Sequence, residues 1–102
     1  MIINAYTIYD SKALVYHRPW FELTHGAATR AFADLVNDAQ TSIGRHPTDY
    51  VLYHIGTYDD ARGRMIPLDP LVHVVDGAAL LSIETALPFP EVNATSNGKA
   101  TA

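Results

Sequence analysis

The 102-residue sequence contains no cysteine. This absence excludes a disulfide framework, a zinc site built on thiolates and a cysteine nucleophile. No apolar run approaches the roughly 18 residues that a membrane-spanning helix needs. The opening residues, MIINAYTIYDSK, also lack the basic segment with which a signal peptide begins. We therefore expect an intracellular protein that makes no membrane contact.

Positive charge is also scarce. Seven Lys and Arg residues stand against 11 Asp and Glu residues, which gives a formal net charge of −4. Residues 1–64 hold six of the seven cations, so the C-terminal part is the more acidic. Tight non-specific binding to nucleic-acid phosphates usually requires a surplus of cations on one face. The totals argue against a protein that coats nucleic acid by charge alone, and they leave a local basic patch in the first 64 residues open.

One stretch has the period of an amphipathic helix. Thr24 can cap its first turn, because a threonine hydroxyl accepts one of the free N–H groups there. From Ala27 onward apolar residues recur three and four positions apart, and the pattern ends near Asn37-Asp38. The predicted core-facing stripe consists of Ala28, Phe32, Leu35 and Val36.

Two stretches rich in aromatic and β-branched residues predict the main strands of a sheet. The first covers Ile2–Tyr9 and places Tyr6 and Ile8 on one face. The second covers Tyr50–Thr57 and follows the turn at His46-Pro47. The more apolar face of this second strand is expected to meet the helix and comprises Val51, Tyr53, Ile55 and Thr57.

The rest of the chain predicts shorter elements. Lys12–Tyr16 is a candidate for a short return strand. Asp59–Gly63 is predicted to form a hairpin loop, and the strand Arg64–Leu68 returns from it. The proline of this strand either confines it to a sheet edge or ends it. Leu71–Val75 is a candidate for a further strand, and Ala78–Ile83 fits a short helix or a strand equally well.

These elements together predict an α+β fold: one amphipathic helix packed on a three- to four-stranded, mainly antiparallel sheet. A hydrophobic content of 48% and a charged content of 18% are typical of a globular chain. We place a single domain at residues 1–87. Residues 88–102, PFPEVNATSNGKATA, contain two prolines and many small polar residues and predict a disordered tail.

No pattern of catalytic residues stands out. The five histidines are never two, three or four residues apart, so no local pair of metal ligands exists. Asp59-Asp60 is more typical of a solvated hairpin turn than of an acid–base pair. The glycines are scattered singly, and no G-x-S-x-G motif is present. We expect a protein that is not an enzyme, with no catalytic residue, metal or cofactor.

Aromatic and basic residues are interleaved in a way that is typical of surfaces that hold single-stranded nucleic acid. The candidate stacking residues are Tyr9, Tyr16, Trp20 and Tyr58. The pair Trp20-Phe21 has two interpretations, a lid over the helix–sheet core or an exposed platform for a base or a partner. The residues that we single out as candidate nucleic-acid contacts are Arg18, Trp20, Arg45, Arg62 and Arg64.

Six short motifs follow one another along residues 6–60. They are Tyr6–Ala13 (YTIYDSKA), Trp20-Phe21, Thr24–Asp34 (THGAATRAFAD), Val36–Asp38 (VND), His46–Leu52 (HPTDYVL) and Ile55–Asp60 (IGTYDD). In this order they resemble the small nonstructural protein of gokushovirus-like microviruses, which are single-stranded DNA phages. The resemblance covers roughly residues 6–81 and implies a protein of the host bacterial cytoplasm that is absent from the mature capsid.

The resemblance implies a DNA-binding or replication protein that acts at the switch from duplex replication to single-strand synthesis. It brings no catalytic residues with it. Two hypotheses follow. The protein is an accessory in viral DNA replication that binds single-stranded DNA, or it is a protein–protein adaptor that modulates a viral or host replication protein without contacting DNA. Exposed strand edges would also allow a homodimer.

Overall fold

The computed structural model describes residues 1–82. Over this range it confirms the predicted α+β fold, with one main helix packed on an antiparallel sheet. The last five residues of the predicted domain, 83–87, and the predicted tail, 88–102, lie outside the described residues.

Residues 1–82 contain five strands and two α-helices. The strands are β1 (Ile2–Asp10), β2 (Val15–Tyr16), β3 (Trp20–Glu22), β4 (Tyr50–Asp59) and β5 (Arg64–Asp76). The helices are α1 (His25–Val36) and the short α2 (Ser42–Arg45), and two 3₁₀ turns cover Pro47–Asp49 and Gly77–Leu80.

The sheet has the order β2-β1-β4-β5, and every pair is antiparallel. β3 pairs with the first half of β1 and β2 with its end, so these two short strands share one edge of β1. The sheet of the described residues therefore has five strands, one more than the upper end of the predicted range of three to four. A three-residue strand such as Trp20–Glu22 is too short for alternation to reveal it.

β5 lies at the sheet edge, as its prolines predict, and it continues where the sequence indicates two separate strands. Gly56 is opposite Pro67, whereas His54 is opposite Val72, so residues 68–71 bulge out of the ladder. Next to this bulge β5 passes very close to β4. A Cβ atom on Gly56 would lie 2.6 Å from the Ile66 carbonyl oxygen, so only glycine fits there.

The helix begins and ends as predicted. Thr24 Oγ1 accepts a hydrogen bond of 3.1 Å from the Ala27 N–H, and Asn37 caps the other end. The buried helical residues are Ala28, Phe32 and Val36, and they belong to the predicted stripe. They pack on a core whose remaining buried members are Tyr6, Ile8, Ile43, Tyr50 and Leu52.

The prediction for the faces of β4 was wrong. The helix covers the face that carries Tyr50 and Leu52, and Tyr53 lies on the opposite face. The register explains this, because Leu52 pairs with Ile8 on the apolar face of β1. Ranking the two faces of β4 by hydrophobicity gave the wrong result, because a tyrosine can be buried at little cost in free energy once its hydroxyl has a hydrogen-bond partner. The Tyr50 hydroxyl has one in Ser42 Oγ, at 2.8 Å.

Candidate nucleic-acid interface

The sheet face that points away from α1 carries no helix in the described part of the chain. We call it the open face. On β1 and β4 its positions follow from the register, in which Tyr9 is opposite Val51 and Thr7 is opposite Tyr53. Side chains alternate between the two sides of a strand, so the core residues between them point towards α1.

An aromatic row crosses the open face. Tyr16 of β2, Tyr9 of β1, Tyr53 of β4 and His73 of β5 each contribute one ring. The ring centroids are 4.5 Å apart for Tyr9–Tyr16, 6.1 Å for Tyr16–Tyr53 and 6.0 Å for Tyr53–His73. Tyr16 is 48% exposed, so one of these rings can receive another planar group without any rearrangement of the core.

A second aromatic pair lies on the same face towards the β4–β5 hairpin. The rings of Phe21 and Tyr58 are 5.6 Å apart, and Phe21 is 45% exposed. Met65 is opposite Tyr58 and is also exposed. The open face thus presents two separate places where a flat apolar ligand can stack.

Charge on the open face is sparse. The described residues that the register places there include no lysine or arginine, and His73 Nε2 lies 2.8 Å from Asp76 Oδ1. Cations lie instead at the two ends of the sheet. Lys12 belongs to the β1–β2 turn, and Arg62 and Arg64 flank Gly63 at the β4–β5 hairpin.

One of the hairpin cations already has a partner. Arg62 Nη1 lies 2.9 Å from Asp59 Oδ2, and this contact holds the pKa of the Asp59 carboxyl below its ordinary value. Met1 places its terminal ammonium 2.7 Å from Asp60. Arg64 forms no ion pair in the described part of the chain and is the freer of the two arginines.

The structure does not bring the five candidate contacts into one place. Arg18 and Trp20 line a groove on the helix side, Arg62 and Arg64 lie at the hairpin, and Arg45 donates to the Ala39 carbonyl oxygen from α2.

Trp20 and Phe21 lie on opposite sides of β3. Trp20 packs against the core, 6.1 Å from Tyr6. It therefore matches the lid interpretation of the pair, whereas Phe21 matches the platform interpretation. Strand alternation separates two neighbours that the sequence treats as one cluster.

Three of the predicted stacking residues, Tyr9, Tyr16 and Tyr58, do lie on the open face. Sequence reasoning missed Tyr53 and His73. The alternation of β4 groups Tyr53 with Val51 and would have revealed it, had that face been assigned to solvent instead of to the helix.

A cluster of polar rings lies beneath the start of α1. The Tyr6 hydroxyl is 2.5 Å from His25 Nδ1, and the ring of His54 stacks on Tyr6 with centroids 5.1 Å apart. His54 Nε2 is buried and has no hydrogen-bond partner among residues 1–82. Burial and, to a smaller extent, the neighbouring His25 lower the pKa of His54. Burial likewise raises the pKa of the Tyr6 phenol. The Tyr6–His25 contact joins the first residue of α1 to β1, and the surroundings of His54 favour its neutral form.

We expect the fold to lose stability in acid because of His54. Its pKa is lower in the folded chain than the ordinary value of 6.5, so the unfolded chain binds more protons. The free energy of unfolding therefore falls as the pH drops below about 6.5. Replacing His54 with phenylalanine removes the titrating imidazole. In this variant the free energy of unfolding, measured by urea unfolding at a series of pH values, should depend less on pH. His46→Gln, at an exposed histidine, should keep the wild-type slope; an unchanged slope in His54→Phe would contradict the assignment.

Within residues 1–82, no three His, Asp or Glu side chains are grouped to hold a metal ion. No helix there is both long and apolar enough to cross a bilayer.

The chain is a small α+β protein. A helix covers one face of its five-stranded sheet, and aromatic rings lie on the other face. The family model for the Phage ORF5 protein matches residues 3–80, from β1 to the last 3₁₀ turn. The chain therefore belongs to the Phage ORF5 protein family and is a bacteriophage protein. No curated protein and no solved structure matches it.

Proposed function

We propose that this phage protein binds single-stranded DNA through its open face, as a nonstructural accessory in the replication of a microvirus-like genome. The observation that supports this role is the aromatic row, in which four strands each place a ring on the side of the sheet without a helix. Stacking of a base on an aromatic side chain contributes about 1–3 kcal/mol and tolerates any sequence. Such a surface suits a protein that must hold genomic strands of many sequences.

The charges of the chain favour single strands over duplex. In a duplex the faces of the bases are stacked on one another and cannot stack on a protein ring. A protein that does not contact the bases must therefore bind duplex through many phosphate contacts. The open face has no lysine or arginine at its described positions, and the chain carries a net charge of −4. An unpaired strand offers its bases to the rings, and Lys12 and Arg64 at the two ends of the sheet can contact its backbone. Binding should therefore rest on stacking, with few phosphate contacts.

Fluorescence anisotropy with a labelled single-stranded oligonucleotide tests this proposal. At low salt and micromolar protein we expect saturable binding, with much weaker binding to the duplex of the same sequence. Each phosphate contact adds about 0.7 to the slope of log affinity against log salt for single strands, so a slope of roughly 1–2 is expected. The proposal fails if no salt-sensitive binding occurs under these conditions, or if duplex binds as well as single strand.

A further inference from the structure

A groove with a volume of about 790 Å³ runs along the helix side of the molecule, away from the open face. One wall consists of Arg18, which lies between β2 and β3, and of Trp20, the first residue of β3; another wall is α1. Ile8, Leu35 and Ile43 supply apolar surface inside it. The groove thus joins the sheet edge, α1 and α2, and it contains the only tryptophan of the chain.

Charges of opposite sign border this groove. Arg18 comes from the β2–β3 segment, Asp34 comes from α1, and Asp38 directly follows Asn37, the residue that caps the C-terminal end of α1. All three residues are exposed, and none forms an ion pair in the described part of the chain. Asp38 accepts a hydrogen bond of 2.9 Å from the Gln40 N–H, which is a neutral donor. An occupant of the groove would therefore meet a positive group on one side and two negative groups on another.

We propose that the groove docks an extended peptide segment of another protein. That segment carries an apolar side chain for the surface formed by Trp20, Leu35 and Ile43, a carboxylate for Arg18, and a Lys or Arg for Asp34 and Asp38. Such a site makes the protein an adaptor as well as a DNA-binding protein. It lies on the opposite side of the sheet from the aromatic row, so it does not depend on the proposed DNA binding.

Charge complementarity favours a peptide over a nucleic acid in this groove. A nucleic-acid strand presents phosphates of one sign along its whole length, and Asp34 and Asp38 would repel them. A peptide can place an acidic and a basic side chain on either side of an apolar one, and matches both walls at once. Asp34 and Asp38 would also repel a peptide that places an acidic side chain next to them, so the two aspartates make the groove selective among peptides.

Trp20 provides a direct readout of occupancy, because its fluorescence is the only tryptophan signal of the chain. The probes are synthetic peptides with one Leu between a Glu and a Lys, prepared in both orders, together with all-Glu and all-Lys versions. We expect one mixed-charge peptide to change the Trp20 emission in a saturable way. Replacing its Leu with Gly should weaken binding on the order of tenfold or more, since the buried apolar area is lost.

Charge reversals locate the binding. In Arg18→Glu and in Asp34→Lys the affinity for the matching peptide should fall by up to about fivefold, as for exposed ion pairs, and a peptide with the opposite charge should regain it. Both variants should bind single-stranded DNA like the wild type. Failure of every mixed-charge peptide to alter Trp20 emission would overturn the proposal. So would a loss of single-stranded DNA binding in Arg18→Glu together with quenching of Trp20 by that DNA, which would assign the groove to nucleic acid. Absence of DNA binding in the wild type would leave the peptide result unaffected.

Discussion

Replacing Tyr16 with alanine is expected to weaken the binding of single-stranded DNA by roughly 5- to 150-fold, which corresponds to about 1–3 kcal/mol for one stacked base. Tyr16 is the most suitable target because it is 48% exposed and contacts the rings of both Tyr9 and Tyr53. Its side chain contributes little to the buried core, so the fold should survive the change. Anisotropy titrations with one labelled oligonucleotide measure the effect.

Two variants serve as controls for Tyr16→Ala. Tyr16→Phe retains the ring and should bind within about threefold of the wild type, since stacking needs only the π-face. Val72→Ala changes an apolar residue of similar exposure, 44%, that lies opposite His54 on the other side of the sheet. It should leave the affinity unchanged. If Val72→Ala weakens binding as much as Tyr16→Ala does, the open face is not the binding surface.

Replacing Phe32 with alanine is expected to lower the free energy of unfolding by about 3–5 kcal/mol. Phe32 is fully buried at the centre of α1, where it joins the helix to the core formed with Tyr6 and Leu52. A domain of this size has a total stability of about 5–15 kcal/mol, so a large part of it would be lost. Urea unfolding followed by circular dichroism measures the change.

The control for Phe32→Ala is Arg30→Ala, which removes an exposed side chain from the same helix. Its effect should stay within about 0.5 kcal/mol. A loss of less than about 1 kcal/mol in Phe32→Ala would mean that α1 does not pack on the sheet as described, because a buried phenylalanine cannot be removed at so small a cost.

The parts of the fold that were predictable from sequence depend on local chemistry. Thr24 caps α1 because a hydroxyl at that position satisfies a free N–H group, and the apolar stripe through Phe32 follows from the helical period. Tyr6 and Ile8 share a face because they are two residues apart on a strand. Each of these features involves residues close together in the chain, and the sequence contains all the information needed to recognise them.

The features that sequence reasoning missed depend on pairings between distant segments. The face of β4 that meets α1 is decided by its register with β1, which pairs Leu52 with Ile8. β5 continues past two prolines because residues 68–71 bulge out and the ladder resumes at Val72. No local pattern encodes a long-range register, so the more apolar face of β4 was the natural and mistaken choice for the core.

The candidate site shows the same division. Tyr9, Tyr16 and Tyr58 were recognised as stacking residues from their residue type, and the structure places all three on the open face. The arginines were chosen by charge alone. Arg18 and Arg64 belong to different parts of the fold. Only the folded chain reveals that Arg18 borders a groove and that Arg64 lies at the β4–β5 hairpin.

The bulge in β5 also changes what this edge of the sheet offers to neighbouring molecules. An edge strand of 13 residues would ordinarily present a long row of unpaired backbone groups to strands of neighbouring molecules. Residues 68–71 divide that row into two short stretches, and Pro67 and Pro70 each remove a donor from it. Neither stretch is long enough to template the continuous pairing from which fibres grow. We therefore expect β5 to resist edge-to-edge pairing with strands of other copies of this chain.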